Sequence, residues 1–281
     1  MERNRPQSTA QRYLPLAQWL GAEAEPVRSF VRQVVETLEQ GRPPEAEFVE
    51  AMVAARHRIA GAWQPAAAPA NELERAPAIV AASFNFGPRR DAAAGPYDEF
   101  NRRLAQCGVP ADRQIPEQYH PHYHFPGGSN QDIADVIADL CGRLGPKDIW
   151  GQIEVIEALR LSHGLAIPDE RAAIPAAAYL STTDVPKQLV KRGLADYASI
   201  IAVGHPDHVR RVAAGVEIVV NTARASRGLA PARVLMPDVS RVRYHADGVQ
   251  PWARDERYRE HECAARVKAM YLGLMRLDHL E

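Results

Sequence analysis

SIIAVGHPDHVRR, residues 199–211, changes character at its centre. Ile200 to Val203 are an unbroken apolar run, the pattern of a strand buried on both faces of a parallel sheet. Gly204 ends it, His205-Pro206-Asp207-His208 forms a polar corner, and Val209-Arg210-Arg211 opens a helical spacing that continues to Val220. The reading is strand, polar corner, helix. It places the two histidines at a strand's carboxyl end.

The same succession recurs on either side. APAIVAASF (76–84) is a buried-strand run ending in the turn-prone NFGPRR, and YDEFNRRLAQCG (97–108) has helical spacing with a glycine stop. A second extended segment over Ile115 to Phe125 leads through Pro126-Gly127-Gly128-Ser129 into the helix NQDIADVIADLCGRLG, with Ser129 or Asn130 as its N-cap. DIWGQIEVIEALRLSHG (148–164) reads either as a short strand turning into a helix or as a helix outright. AIPAAAYLSTTDVPKQLVKRGL (173–194) repeats the design, ARVLMP (232–237) is a last short strand, and a long helix covers 254–277. Apolar run, polar corner and helix in alternation predict an α/β fold: a Rossmann-like parallel sheet with helices on both faces. Before it, residues 10–63 carry apolar residues at three- and four-residue spacings, and QPAAAPA (64–70) reads as a linker. The division expected is a helical N-terminal extension and linker over 1–70, packed on the main body, and an α/β domain over 71–281.

Bulk properties narrow the partners. The chain has 281 residues, 46% of them hydrophobic, and a formal net charge of −1. That balance leaves no electrostatic footprint for nucleic acid or an anionic membrane surface. Lys147, Lys187, Lys191 and Lys268 are the only lysines among 34 basic residues, a skew that points to a GC-rich genome before it points to function. Cys107, Cys141 and Cys263 are far apart and form neither a disulfide framework nor a cysteine zinc site. The N-terminus lacks the apolar core of a signal peptide, and no run approaches the roughly 20 residues of a membrane helix. A soluble protein of the cytoplasm is expected.

In parallel α/β sheets ligands bind beyond the carboxyl ends of the strands. The polar corners there supply the candidate ligand-binding residues Ser83, Asn85, Gly127, Gly128, Ser129, Thr182, Thr183, Asp207 and Arg210. Gly127-Gly128-Ser129 ahead of a helix suits an anionic group, because backbone amides point out of a helix start. Neither a G-x-G-x-x-G fingerprint nor a phosphate-loop G-K-[ST] is present. His205 and His208 are candidate acid/base residues, since imidazole titrates near neutrality. Glu154 is a second catalytic candidate, and Arg210 or Arg211, one turn into the helix, can point back as an anion clamp. Asp207 has an alternative use as N-cap. Trp252 and Arg254 can stack on a planar ligand, or Trp252 can fill a core gap. His120, His122 and His124 alternate and would share one face of a strand, an arrangement metal ligation can use, although Pro121 interrupts the pattern and the three can instead line a polar loop. No G-x-S-x-G elbow supports a serine nucleophile.

Two resemblances bear on function. His-Pro-Asp-His is similar to the His-Pro-Asp-Asp metal motif of LmbE-like zinc deacetylases, but His208 replaces the second Asp and the motif here follows a late strand. More extensively, AIVAASFNFG with the Arg102/Arg103 helix, PGGSNQDIADVIADL, YLSTTDVPKQLV and IIAVGHPDHVRR resemble, in order, the YdcF/SanA/ElyC-like family over roughly residues 76–240. SanA- and ElyC-type members begin with a membrane segment, whereas this chain begins with the helical extension. The resemblance implies a Rossmann-like domain with a strand-end pocket for a polar, nucleotide-type ligand, S-adenosylmethionine being one candidate cofactor. The functions expected are an enzyme acting on a small anionic or nucleotide-type substrate, or else a metal-dependent hydrolase using a histidine cluster, or a non-catalytic ligand-binding module.

Overall fold

The structure, a computed structural model, describes residues 14–21, 23–61, 63, 67–84, 105, 128–174, 182–246, 248 and 253–280. Helices α1 (Leu16–Leu20), α2 (Glu25–Leu38), α3 (Ala46–Ala54), α4 (Arg56–Gly61) and α5 (Ala70–Arg75) precede the first strand, β1 (Ala78–Ala81). Then come α6 (Gly128–Leu144), β2 (Asp148–Gln152), α7 (Ile153–His163), β3 (Ala172–Ala173) and α8 (Asp184–Val190). β4 (Ser199–Val203), α9 (Pro206–Ala225), β5 (Arg233–Leu235) and α10 (Tyr258–Tyr271) complete the order. The ambiguous 148–164 stretch is thus a strand followed directly by a helix.

The strands form one five-stranded parallel sheet in the order β3-β2-β1-β4-β5. β1 lies at its centre, with Val80 level with Trp150 on one side and Ala202 on the other. The chain runs outward from β1 to β3, then returns to lay β4 on the opposite side of β1. That reversal opens a crevice beyond the carboxyl ends of β1 and β4, the place where such sheets bind ligands.

Both sheet faces are buried, which is why the strands are apolar throughout rather than alternating. Ile79, Ala81, Ile201 and Val203 meet α6 and α7, while Ala78, Val80, Ile200 and Ala202 meet α8 and α9. A third apolar cluster joins α1–α4 to α10 through Trp19, Phe30, Val31, Ile59, Cys263 and Val267. The N-terminal helices therefore cover the C-terminal helix. The stretch before the sheet is tied in as well, Ala68 N–H donating to the Met236 carbonyl at 2.8 Å.

One expectation is corrected. The last helix spans Tyr258–Tyr271 rather than 254–277, because Gly273 turns left-handed (φ 66°) and Leu274 N–H closes on the Ala269 carbonyl at 2.7 Å. Of the strand run expected from Ala173, β3 covers Ala172–Ala173, and the part beyond residue 174 lies outside the described residues. The segment Ile115 to Phe125 and the YDEFNRRLAQCG helix lie outside the described residues, apart from Ala105, which is helical. Among the described residues no helix is long and apolar enough to cross a membrane.

Gly151 stands opposite Ala81 where β2 pairs with β1. A Cβ there would lie 2.8 Å from the Ala81 carbonyl oxygen and 3.0 Å from its Cβ. Neither neighbour is a flexible side-chain end, so Gly151→Ala should cost about 1–3 kcal/mol through overpacking. A lowered urea midpoint at unchanged m-value would register it; an unchanged midpoint would show that the two strands can part without cost.

Candidate functional site

The exit of β1 is held open by side chains from its neighbours. Ser83 N–H donates to Gln152 Oε1 at 2.7 Å, and Phe84 N–H donates to Asn130 Oδ1 at 2.8 Å. Gln152 ends β2 and Asn130 stands in the first turn of α6, so a strand end and a helix start together set the course of the chain after β1. Ser129 and Asn130 are inside α6 rather than ahead of it, which corrects their reading as N-caps. The Ser129 hydroxyl, fully buried, donates instead to the Arg243 carbonyl at 2.6 Å, and Asp132 accepts from Arg243 N–H at 2.9 Å. The segment after β5 is thereby strapped over the start of α6, beside Gly128. Its next residue, Tyr244, reaches the start of α9, where its hydroxyl donates to Asp207 Oδ2.

Phe84 is the hub of the crevice. The His205 ring stacks on it with centroids 4.0 Å apart and planes 15° apart, and Tyr258 meets it edge-on at 4.6 Å. Tyr244 flanks His205 at 4.2 Å. His205, not Asp207, is the N-cap of α9: its backbone is extended (ψ 143°), Pro206 takes the first helical position, and Asp207 N–H donates to His205 Nδ1 at 3.3 Å. The Asp207 carboxylate is left to the Tyr244 hydroxyl and to Arg259 Nε at 3.0 Å.

A second arm leads from His208. Its Nε2 lies 3.0 Å from Thr182 Oγ1, which also accepts from Arg211 Nη1 at 2.7 Å. Arg211 in turn grips Glu262 with two hydrogen bonds of 2.9 Å, from Nε and Nη2. Tyr258, Glu262 and Arg266 succeed one another at four-residue spacing on α10, hence on one face. The Tyr258 hydroxyl donates to Glu262 Oε2 at 2.8 Å, and Arg266 Nε lies 3.4 Å from Glu262 Oε1. Arg266 Nη1 then donates to the Ile59 carbonyl at 2.7 Å, and its guanidinium lies 4.2 Å from the centroid of the Trp63 ring. This chain of contacts connects the crevice to the N-terminal helices.

The electrostatics follow from burial. Desolvation, with the neighbouring His208 and Arg259, depresses His205 to about 3. Desolvation and the Arg211 guanidinium depress His208 to about 3. Both imidazoles are neutral near pH 7. Burial pushes the Glu262 carboxyl upward, but Arg211 outweighs it through charge and hydrogen bonding, bringing it to about 2. Burial and the Asp207 carboxylate raise the Tyr244 hydroxyl above its ordinary range, so it stays a proton donor.

Other expected site residues fall differently. Arg210 does not serve the crevice: Arg211 is three residues past His208 and shares its side of α9, whereas Arg210 is two past and turns away. Arg210 Nη1 points to the His279 carbonyl at 3.4 Å. The Thr183 methyl packs towards Gly215, lying 3.3 Å from where a Cβ would stand. Glu154 is buried in the first turn of α7, at the end of β2, one strand away from β1. Arg254 Nε donates to the Gly248 carbonyl. Asn85, Gly127 and Trp252 lie outside the described residues, as do His120, His122 and His124. Phe84, Tyr244, Tyr258, Arg259 and Glu262 join the site without having been singled out. Only the four-residue spacing of Tyr258 and Glu262 could have drawn attention to the last pair.

Among the described residues no group of three or more His, Cys, Asp or Glu side chains is placed to hold a metal ion. A separate groove of about 530 Å³, lined by Cys141, Lys147, Ile149, His163, Leu165 and Arg171, lies at the opposite, amino edge of the sheet, away from His205 and His208. No family model, curated protein or solved structure is similar enough to this chain to match it.

Proposed function

We propose that this chain is a cytoplasmic enzyme that binds a small anionic or nucleotide-type ligand beyond the carboxyl ends of β1 and β4, S-adenosylmethionine being one candidate. The observation that carries the reading is the pair His205 and His208 at the switch point of the sheet. Both are buried, and His205 Nε2 and His208 Nδ1 have no hydrogen-bond partner among the described residues. Buried polar atoms are almost always paired, so two orphans in one crevice call for a ligand or ordered water. Thr182 stands alongside with its hydroxyl, and Arg211 and Arg259, each already paired with a carboxylate, are cations that an anionic ligand would share with Glu262 and Asp207. The resemblance to YdcF-like proteins points to the same edge of the sheet. A metal-dependent hydrolase built on the His-Pro-Asp-His corner fits less well, because Asp207 is already spent on Arg259 and Tyr244.

Thermal melts of the purified chain with AMP, S-adenosylmethionine, sugar phosphates, inorganic phosphate and divalent metals test this directly. A ligand at about 100 times its Kd should add roughly 2.7 kcal/mol. At least one anionic compound is expected to raise the melting temperature, and His208→Leu to abolish the rise. Stabilisation by metals alone, or by none of these compounds, would sink the reading.

A further inference from the structure

We infer that His205 meets its ligand as a hydrogen-bond donor through Nε2–H, and that the group it holds is a negatively charged oxygen, phosphate or carboxylate. This rests on the ligand reading just given, and it assigns His205 a role other than that of general base.

The tautomer follows from the cap. A backbone N–H can only donate, so the bond from Asp207 N–H requires a lone pair on His205 Nδ1. A neutral imidazole carries one proton, which then sits on Nε2. Burial, with His208 and Arg259 nearby, keeps the ring neutral. A base must offer its lone pair to the substrate, and here the lone pair is turned inward to the helix start.

The donor's direction is set as firmly as its polarity. Phe84 stacks on one side of the ring at 4.0 Å, Tyr244 packs at 4.2 Å, and the cap fixes the remaining rotation. The residue is only 2% exposed, and Nε2 is buried without a partner among the described residues. A buried donor without a partner is costly, and an acceptor oxygen would remove that cost.

The backbone of α9 offers no substitute for that donor. Pro206 has no N–H, Asp207 N–H is used by His205 Nδ1, and the N–H groups of His208 and Val209 both turn to the His205 carbonyl, at 2.9 and 2.8 Å. The imidazole thus takes the place that main-chain amides hold at other anion-binding helix starts. The carboxylates nearby are covered, Asp207 by Tyr244 and Arg259, and Glu262 by Arg211, Tyr258 and Arg266. His208 is not assigned the same role, because the Thr182 hydroxyl against its Nε2 can give or accept a proton and leaves its tautomer open.

The test combines histidine-selective 15N NMR of the full chain with two isosteric variants. Asn in place of His205 keeps an acceptor near Nδ1 and loses the outer donor; Gln keeps a donor near Nε2 and loses the cap. The wild type should show His205 protonated at Nε2 and bare at Nδ1 at pH 7. AMP and inorganic phosphate should shift that Nε2–H resonance if the oxygen is a phosphate, and S-adenosylmethionine if it is a carboxylate; adenosine should not. His205→Asn should weaken binding of the active compound about tenfold or more, the equivalent of one charge-assisted hydrogen bond, without lowering the melting temperature. His205→Gln should melt lower yet bind within about threefold of wild type, since only the cap is lost. Protonation at Nδ1, full affinity in His205→Asn, or an adenosine response equal to that of AMP would each overturn the inference while leaving a ligand site in place. No response to any of these compounds would overturn the ligand reading beneath it, while the tautomer measurement still stands by itself.

Discussion

Glu262→Ala is expected to destabilise the fold by about 3–5 kcal/mol, the cost of breaking a buried ion pair from one side. Glu262 is 0% exposed and receives two hydrogen bonds of 2.9 Å from Arg211 and one of 2.8 Å from Tyr258. Its removal takes from Arg211 its carboxylate partner, where a hydrogen bond to Thr182 and a 3.5 Å contact to Tyr258 remain, and takes from Arg266 its carboxylate neighbour. Against a total stability of about 5–15 kcal/mol, that loss is severe. Urea unfolding would measure it. The double variant Arg211→Met/Glu262→Met should recover part of the stability, because the Arg211 charge goes with its partner while the buried Arg266 still loses its carboxylate neighbour. A loss under about 1 kcal/mol in the single variant would mean that Arg211 reaches water in the folded protein.

Stability is also expected to fall as pH drops below about 6.5, well before carboxylates titrate. His205 and His208 have folded-state values of about 3 against 6.5 for an unperturbed imidazole. Between those values the unfolded chain binds protons that the folded chain refuses, so unfolding takes up protons and acid favours it. The stability is complete above about pH 6.5 and declines towards the folded values, by up to about 1.4 kcal/mol per pH unit for each histidine. Glu262, lowered from 4.5 to about 2, adds a further loss with the same sign below about pH 4.5. Arg211, Arg259, His245 and His261 all press the two imidazoles towards neutrality, and the Glu262 carboxylate opposes them without prevailing. Melting temperatures from pH 7.5 to 5.5 should fall steadily, with nearly three protons taken up by these rings per molecule unfolded at the acid end, because His261, lowered to about 4 by burial and Arg211, joins His205 and His208. His208→Gln should lower the slope by about a third. A flat profile would show both rings hydrated in the folded state.

What could be read locally was read from local patterns. Buried parallel strands show as short apolar runs, and so IIAV and AIVA declared themselves, as did the helix after IIAV, whereas the DIW of Asp148–Trp150 read equally as strand or helix. Stop signals were underweighted where one glycine outweighed a continuing apolar pattern, as at Gly273. In the crevice, His205 and His208 were visible because a polar corner after a strand leaves few other uses for imidazole. Arg210 was preferred to Arg211 although the two differ by one residue, since a 100° turn means nothing until the partner side is known.

The sequence by itself determined the α/β alternation, the helical N-terminal layer and the edge of the sheet that carries the histidines. These depend on period, length and turn chemistry, which act over a few residues. Only the tertiary structure decided that β4 lies beside β1, that α10 brings Tyr258 and Glu262 under His208, and that Tyr244 crosses from the segment after β5 to Asp207. Those are contacts between residues far apart in the chain, where a buried charge takes its value from whichever partner the packing delivers. A carboxylate at position 262 is solvated surface in the sequence and the anchor of the crevice in the fold, because burial against Arg211 makes its charge matter.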